Sequence, residues 1–130
     1  MILKFFDRDD EANELNGITV RDSRHLRQVL EAQTYKQPFV CELVGENGFQ
    51  LTIGVGKLGC VQYARCDGSP PYLMAVSGSR AMKGADKEFM LGGTPSSIPA
   101  RFCMPFEEVI EIAVYFMETG KACPSFSWEQ

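Results

Sequence analysis

A chain of 130 residues that is 45% hydrophobic and 23% charged has the makeup of one globular domain rather than a disordered or fibrous segment. Thirteen Lys and Arg against seventeen Asp and Glu leave a net charge of -4, the opposite lean from a dedicated nucleic-acid binder. No apolar run approaches the ~20 residues of a membrane-spanning helix, and residues 1–7 are too short and too soon acidic for a signal peptide, so the expectation is a cytoplasmic domain spanning 1–130 that does not engage membranes.

Residues 1–6 read as a short apolar strand, followed by the acidic run Asp7-Arg8-Asp9-Asp10-Glu11. Asn16-Gly17 signals a turn, and residues 18–20 a second short extended piece. Asp22 or Ser23 then caps a helix whose Leu26, Val29 and Leu30 share one face, ending before Pro38. From residue 39 the pattern is β. Phe49, Leu51, Ile53 and Val55 alternate with Gln50, Thr52 and Gly54, and Asn47-Gly48 is a strong hairpin signal just before them. Strands at about 60–66 and 72–76 continue the meander around a loop containing Asp67 and Pro70-Pro71. Small polar residues over 77–87 read as the longest exposed loop, 88–91 as a short strand, and 94–99 as a loop or an edge strand. The clearest helix spans about 105–119. Pro105 suits its first position, Phe106, Val109, Ile110, Ala113, Phe116 and Met117 form its apolar stripe, and Gly120 ends it. Residues 125–128 alternate like a last strand. The fold class is therefore α+β, a mostly antiparallel sheet of about five to seven strands with two main helices packed against it.

Chemistry is conspicuous mainly by what is missing. Five cysteines form an odd, scattered set without a Cys-x-x-Cys pair, and the single histidine, His25, is distant from all of them, so neither a disulfide framework nor a zinc site is expected. Buried reduced thiols are the simpler reading. The letters Gly54-Val55-Gly56-Lys57-Leu58-Gly59 match a dinucleotide fingerprint, but they join two antiparallel strands and do not open a helix, so they read as a hairpin turn. No catalytic residues, metal or cofactor are expected.

The second half carries a resemblance. Phe89-Met90-Leu91-Gly92-Gly93, then Ile98-Pro99, the helix ending Tyr115-Phe116-Met117-Glu118-Thr119-Gly120, and Cys123-Pro124-Ser125-Phe126-Ser127-Trp128 resemble the first-named family of bacterial polymorphic-toxin immunity proteins. In that family a Phe-x-Thr-Gly-x-x-Pro-x-x-x-Trp close is typical; here two residues separate Phe116 from Thr119, one more than the pattern. Leu51-x-Ile53-Gly54-Val55-Gly56 followed by Gly59-x-Val61-x-Tyr63 fits the family's central hairpin, and the resemblance covers roughly 38–130. It implies a non-enzymatic inhibitor of a cognate toxin, typically a nucleic-acid deaminase, that acts by occluding the toxin's active site. The chain would be a monomer or weak homodimer that binds no nucleic acid itself. A small enzyme with a Cys-based site and a non-catalytic ligand-binding or scaffold module are the competing readings.

A toxin acting on nucleic acid presents positive potential around its pocket, so its inhibitor gains from exposed carboxylates. Asp67, Asp86 and Glu88 are the expected partner-binding residues, on two loops that a meander can bring to the same end of the sheet. The run at Asp7, Asp9 and Asp10 is the alternative.

Overall fold

Alternating apolar residues in the middle of the chain give the sheet two faces, and the helices take only one of them. The computed structural model describes residues 1–76 and 83–130. In chain order its elements are β1 (Leu3–Asp7), β2 (Thr19–Val20), α1 (Ser23–Glu31), β3 (Phe39–Gly45), β4 (Phe49–Val55), β5 (Leu58–Arg65), β6 (Tyr72–Val76), β7 (Lys87–Leu91), β8 (Thr94–Ile98), a 3-10 turn (Ala100–Phe102), β9 (Met104–Pro105), α2 (Phe106–Thr119) and β10 (Ser127–Glu129). Of the loop expected at 77–87, residues 77–82 lie outside the described residues.

The main path runs β10-β6-β5-β4-β3-β1-β2, every neighbour antiparallel. Two branches complete it: the antiparallel β7–β8 hairpin, joined to β3 by a parallel Phe39–Met90 pair, and β9 beside the start of β5. The described sheet thus has ten strands, which corrects the expected five to seven. Short pieces expected along the chain, β2, β10 and the β7–β8 hairpin, all join this sheet, and only the two-residue β9 had no counterpart in the sequence pattern. The α+β class stands.

Leu3, Phe5, Cys41, Leu43, Leu51, Ile53 and Val61 point to the helix side, all fully buried. Against them lie Leu26, Val29 and Leu30 of α1, whose Asp22 cap accepts the His25 N–H at 2.8 Å, and the stripe expected on α2. Ile112 is buried as well, so the apolar face of α2 is wider than the expected stripe. Pro105 is not helical: at ψ 141° it ends β9 and precedes the first turn, which moves the helix start to Phe106. Gly120, at φ +74°, closes α2, and its carbonyl accepts from Asn47 Nδ2 and Tyr63 Oη, both at 3.1 Å.

Two glycines of the false fingerprint are set by packing on opposite faces. A Cβ on Gly59 would lie 3.0 Å from Phe106 and Val109 of α2, while one on Gly54 would lie 2.8 Å from the Phe89 ring. Phe89, 1% exposed, is the centre of a small second core with Cys60 and Cys103. It is planted there by the β7–β8 hairpin, which crosses over the helix-free face.

Candidate protein-docking surface

Consecutive connections in a meander alternate between the two ends of the strands, and this separates the expected site residues. Asp67 follows β5 at the end marked by the β3–β4 turn, where Cys66 N donates to Gly48 O at 2.8 Å. Its carboxylate is fully exposed and accepts from Ser69 Oγ at 2.6 Å and Ser69 N at 2.9 Å, bonds that hold its pKa below the ordinary value. Asp86 and Glu88, both exposed, sit at the start of β7 near Pro38, Lys57 and Leu58 at the opposite end. The three do not share one end: Asp86 and Glu88 are together, and Asp67 is apart from them.

What the hairpin does instead is join Asp86 and Glu88 to the alternative acidic run. Its tip, Gly92-Gly93 at φ +61° and +82°, has the positive φ pair of a two-residue type I′ turn. There Gly92 N donates to Arg8 O at 3.1 Å and Gly93 N to Asp9 Oδ1 at 2.8 Å. Three residues of strand from Glu88 to Leu91 put the two acidic groups roughly 10 Å apart along β7.

The acidic run itself divides by burial. Asp7, 5% exposed, is an organising residue: Oδ1 accepts from the N–H groups of Asp9 at 2.8 Å and Asp10 at 2.9 Å. Its Oδ2 accepts from Asn13 Nδ2 at 3.0 Å and faces Lys36 Nζ at 3.6 Å. Asp7 is thus consumed by the fold and closed to a partner. Asp10, Glu11 and Glu14 are exposed, and none has an ion-pair partner among the described residues. Glu88, by contrast, lines a 270 Å³ groove with Lys57 and Lys87. Neither Asp86 nor Glu88 has an ion-pair partner among the described residues either, so the base of the hairpin differs from the tip in the two lysines that share a groove with Glu88.

Beneath the hairpin is a slot of about 140 Å³ with an apolar character. Val40, Thr52, Gly54, Cys60, Gln62 and Met74 form its floor, and Leu91, Ser96 and Ile98 its roof. Leu91 is 43% exposed, one of three large hydrophobic side chains among the described residues that stand out into solvent, beside Tyr35 and Tyr72. Next to the slot, Arg8 Nε donates to Glu42 Oε1 at 2.7 Å and Gln50 Nε2 to Glu42 Oε2 at 3.2 Å, so the Glu42 carboxylate is already satisfied.

A nucleophilic cysteine is not favoured by these surroundings. Burial pushes the Cys41 thiol far up and Cys60 up to about 12, and Cys103 also titrates above its ordinary value, again mainly through burial. The exposed Cys66 is raised as well, by partial burial and then by Glu42 and Asp67. Low-pKa thiolates need the reverse setting. No cluster of three or more His, Cys, Asp or Glu able to hold a metal is present among the described residues, and no helix is long and apolar enough to cross a membrane.

The family model described as immunity protein Imm1 matches residues 10–130. The match reaches back beyond the resemblance expected over 38–130 and takes in α1 and most of the acidic loop. The search of curated proteins returned no match.

Proposed function

Because the chain belongs to the Imm1 immunity-protein family, we propose that it protects a bacterial cell by binding a cognate toxin domain stoichiometrically, without turning over a substrate. The toxin in this reading is a nucleic-acid deaminase, whose metal-bound water attacks a base held in a pocket beside a basic groove. The chain, acting as one domain of residues 1–130 in the cytoplasm and as a monomer or weak homodimer, covers that pocket.

The observation that carries the reading is the hairpin crossing the helix-free face. It sets an apolar slot and the exposed Leu91 beside the loop, bonded to the hairpin tip through Arg8 and Asp9, that carries Asp10, Glu11 and Glu14, three carboxylates without ion-pair partners among the described residues. An apolar centre rimmed by charge is the anatomy of a tight interface, and the sign of the rim suits a basic partner. Asp86 and Glu88 extend this surface at the base of the hairpin and stay in the proposed contact. Asp67 falls outside it unless the partner also reaches round to the far end. Nanomolar binding, ~12 kcal/mol, from an interface of ~1,600 Å² needs such an anchor cluster.

Co-expression of this chain with the toxin domain encoded beside its gene tests the reading. Growth restored by the chain supports it. Toxicity that persists at equal expression overturns it.

A further inference from the structure

The hairpin that roofs the slot also ends in a strand edge with nothing paired to it among the described residues. Among the described residues β8 pairs with β7 alone. Which backbone groups that edge presents follows from one bond on the other side of β7. Met90 N donates to Pro38 O at 2.8 Å, so Met90 points away from β8, and its antiparallel partner Pro95 points away from β7 in turn. Two positions on, Ser97 opposite Glu88 has the same outward setting. The free edge therefore offers the Pro95 carbonyl and both the N–H and the carbonyl of Ser97; Pro95 has no N–H to offer. An exposed edge of this kind is a template for another strand, and a proline at one position restricts which register fits.

In the order β3-β7-β8, β8 is the strand of the hairpin farther from β3. Phe89 of β7 sits over Gly54 and Cys60, and the slot beside Ser96 and Ile98 extends to Thr52, Gln62 and Met74, which form the next row of the sheet. A strand added to β8 would lie over this row, where no helix covers the sheet, and alternate side chains would point down toward the slot.

We propose that an extended segment of the partner toxin adds to the free edge of β8 as its third strand. One aliphatic side chain enters the slot, and basic side chains lie at the end nearest Asp10, Glu11 and Glu14. Main-chain bonds to Ser97 supply affinity, and the slot and the acidic tip supply selectivity, the division of labour general to strand addition. The proposal rests on the toxin-binding reading above and deepens it by assigning the contact.

The toxin domain encoded beside this chain's gene, purified, is the probe. Ser97→Pro removes the central donor of the edge, whereas Ser97→Ala keeps it and removes only the hydroxyl. Strand addition requires Ser97→Pro to weaken binding by about tenfold or more and Ser97→Ala to bind within about twofold of wild type. In the wild-type complex, exchange of the Ser97 amide should slow by about tenfold or more, a readout that holds even if Ser97→Pro disturbs the hairpin. Tight wild-type binding with unchanged Ser97 exchange, or equal binding by both variants, would overturn strand addition while leaving the toxin-binding reading in place. Failure of the wild-type chain to bind would overturn that reading and strand addition with it.

Discussion

Gly93 donates its backbone N–H to Asp9 Oδ1 at 2.8 Å, across 84 positions of the chain. This bond ties the crossing hairpin to the loop that Asp7 organises, and so fixes where the acidic tip stands relative to the slot. A hydrogen bond to an exposed carboxylate contributes on the order of 1 kcal/mol. Asp9→Ala should therefore lower global stability little, yet speed amide exchange at Gly93 and Thr94. Unchanged exchange at the tip would show that the pin is not what holds it.

Charge reversal sorts the acidic groups. Asp10→Lys, Glu11→Lys and Glu14→Lys together should slow association with the toxin domain and flatten its dependence on salt, because steering acts mainly on the on-rate. Asp86→Lys with Glu88→Lys should act the same way but less strongly, since Lys57 and Lys87 line the same groove as Glu88 and lower the negative potential there. Asp67→Lys at the far end should leave the rate within about twofold of wild type. A dominant effect at Asp67 would move the interface to the other end of the sheet.

Phe116 is fully buried and meets Tyr63 edge-on, ring centroids 5.9 Å apart. Truncation of a buried Phe to Ala costs ~3–5 kcal/mol, a large share of a small domain's stability. Phe116→Ala should lower the Tm by well over ten degrees. A variant melting within a degree of wild type would contradict the packing of α2 on the sheet.

The buried thiols give stability an alkaline limit. Cys60 rises from an ordinary value of 9.0 to about 12, chiefly through burial and then through Cys103, and burial lifts Cys41 further. An unfolded thiol ionises from about pH 9 while the folded one stays protonated, so this contribution is fully present below pH ~9 and is lost as the pH rises toward 12. Thermal melts across pH 8–11 should show Cys60→Ala losing stability less steeply than wild type. Parallel profiles would mean that Cys60 ionises in the native state as readily as in the unfolded chain.

The central meander and both helices were legible because each carries a regular period. β4 alternates over all seven residues, and α2 repeats its apolar positions for four turns. Residues 88–99 have no such period, since one buried Phe89 and a run of small residues say nothing about crossing a sheet. That β8 is an edge strand was one of two readings that Pro95 allowed. The burial of Asp7 was hidden inside a run that reads as a solvated face, and only Asx-type spacing to the N–H groups of Asp9 and Asp10 hinted at it. That Asp67 and Asp86 lie at opposite ends follows from strand alternation once β6 and β7 are both assigned, which the sequence pattern alone left open. The slot was not legible, because its floor comes from β3, β4, β5 and β6 and its roof from β7 and β8.

Titration of the cognate toxin domain's activity, deamination in the proposed reading, with the purified chain tests the central claim most directly. Stoichiometric occlusion predicts a linear loss of activity that reaches zero at about one equivalent, with no turnover of the substrate by the chain alone. Full activity at several equivalents, or activity removed by a small fraction of an equivalent, would contradict it.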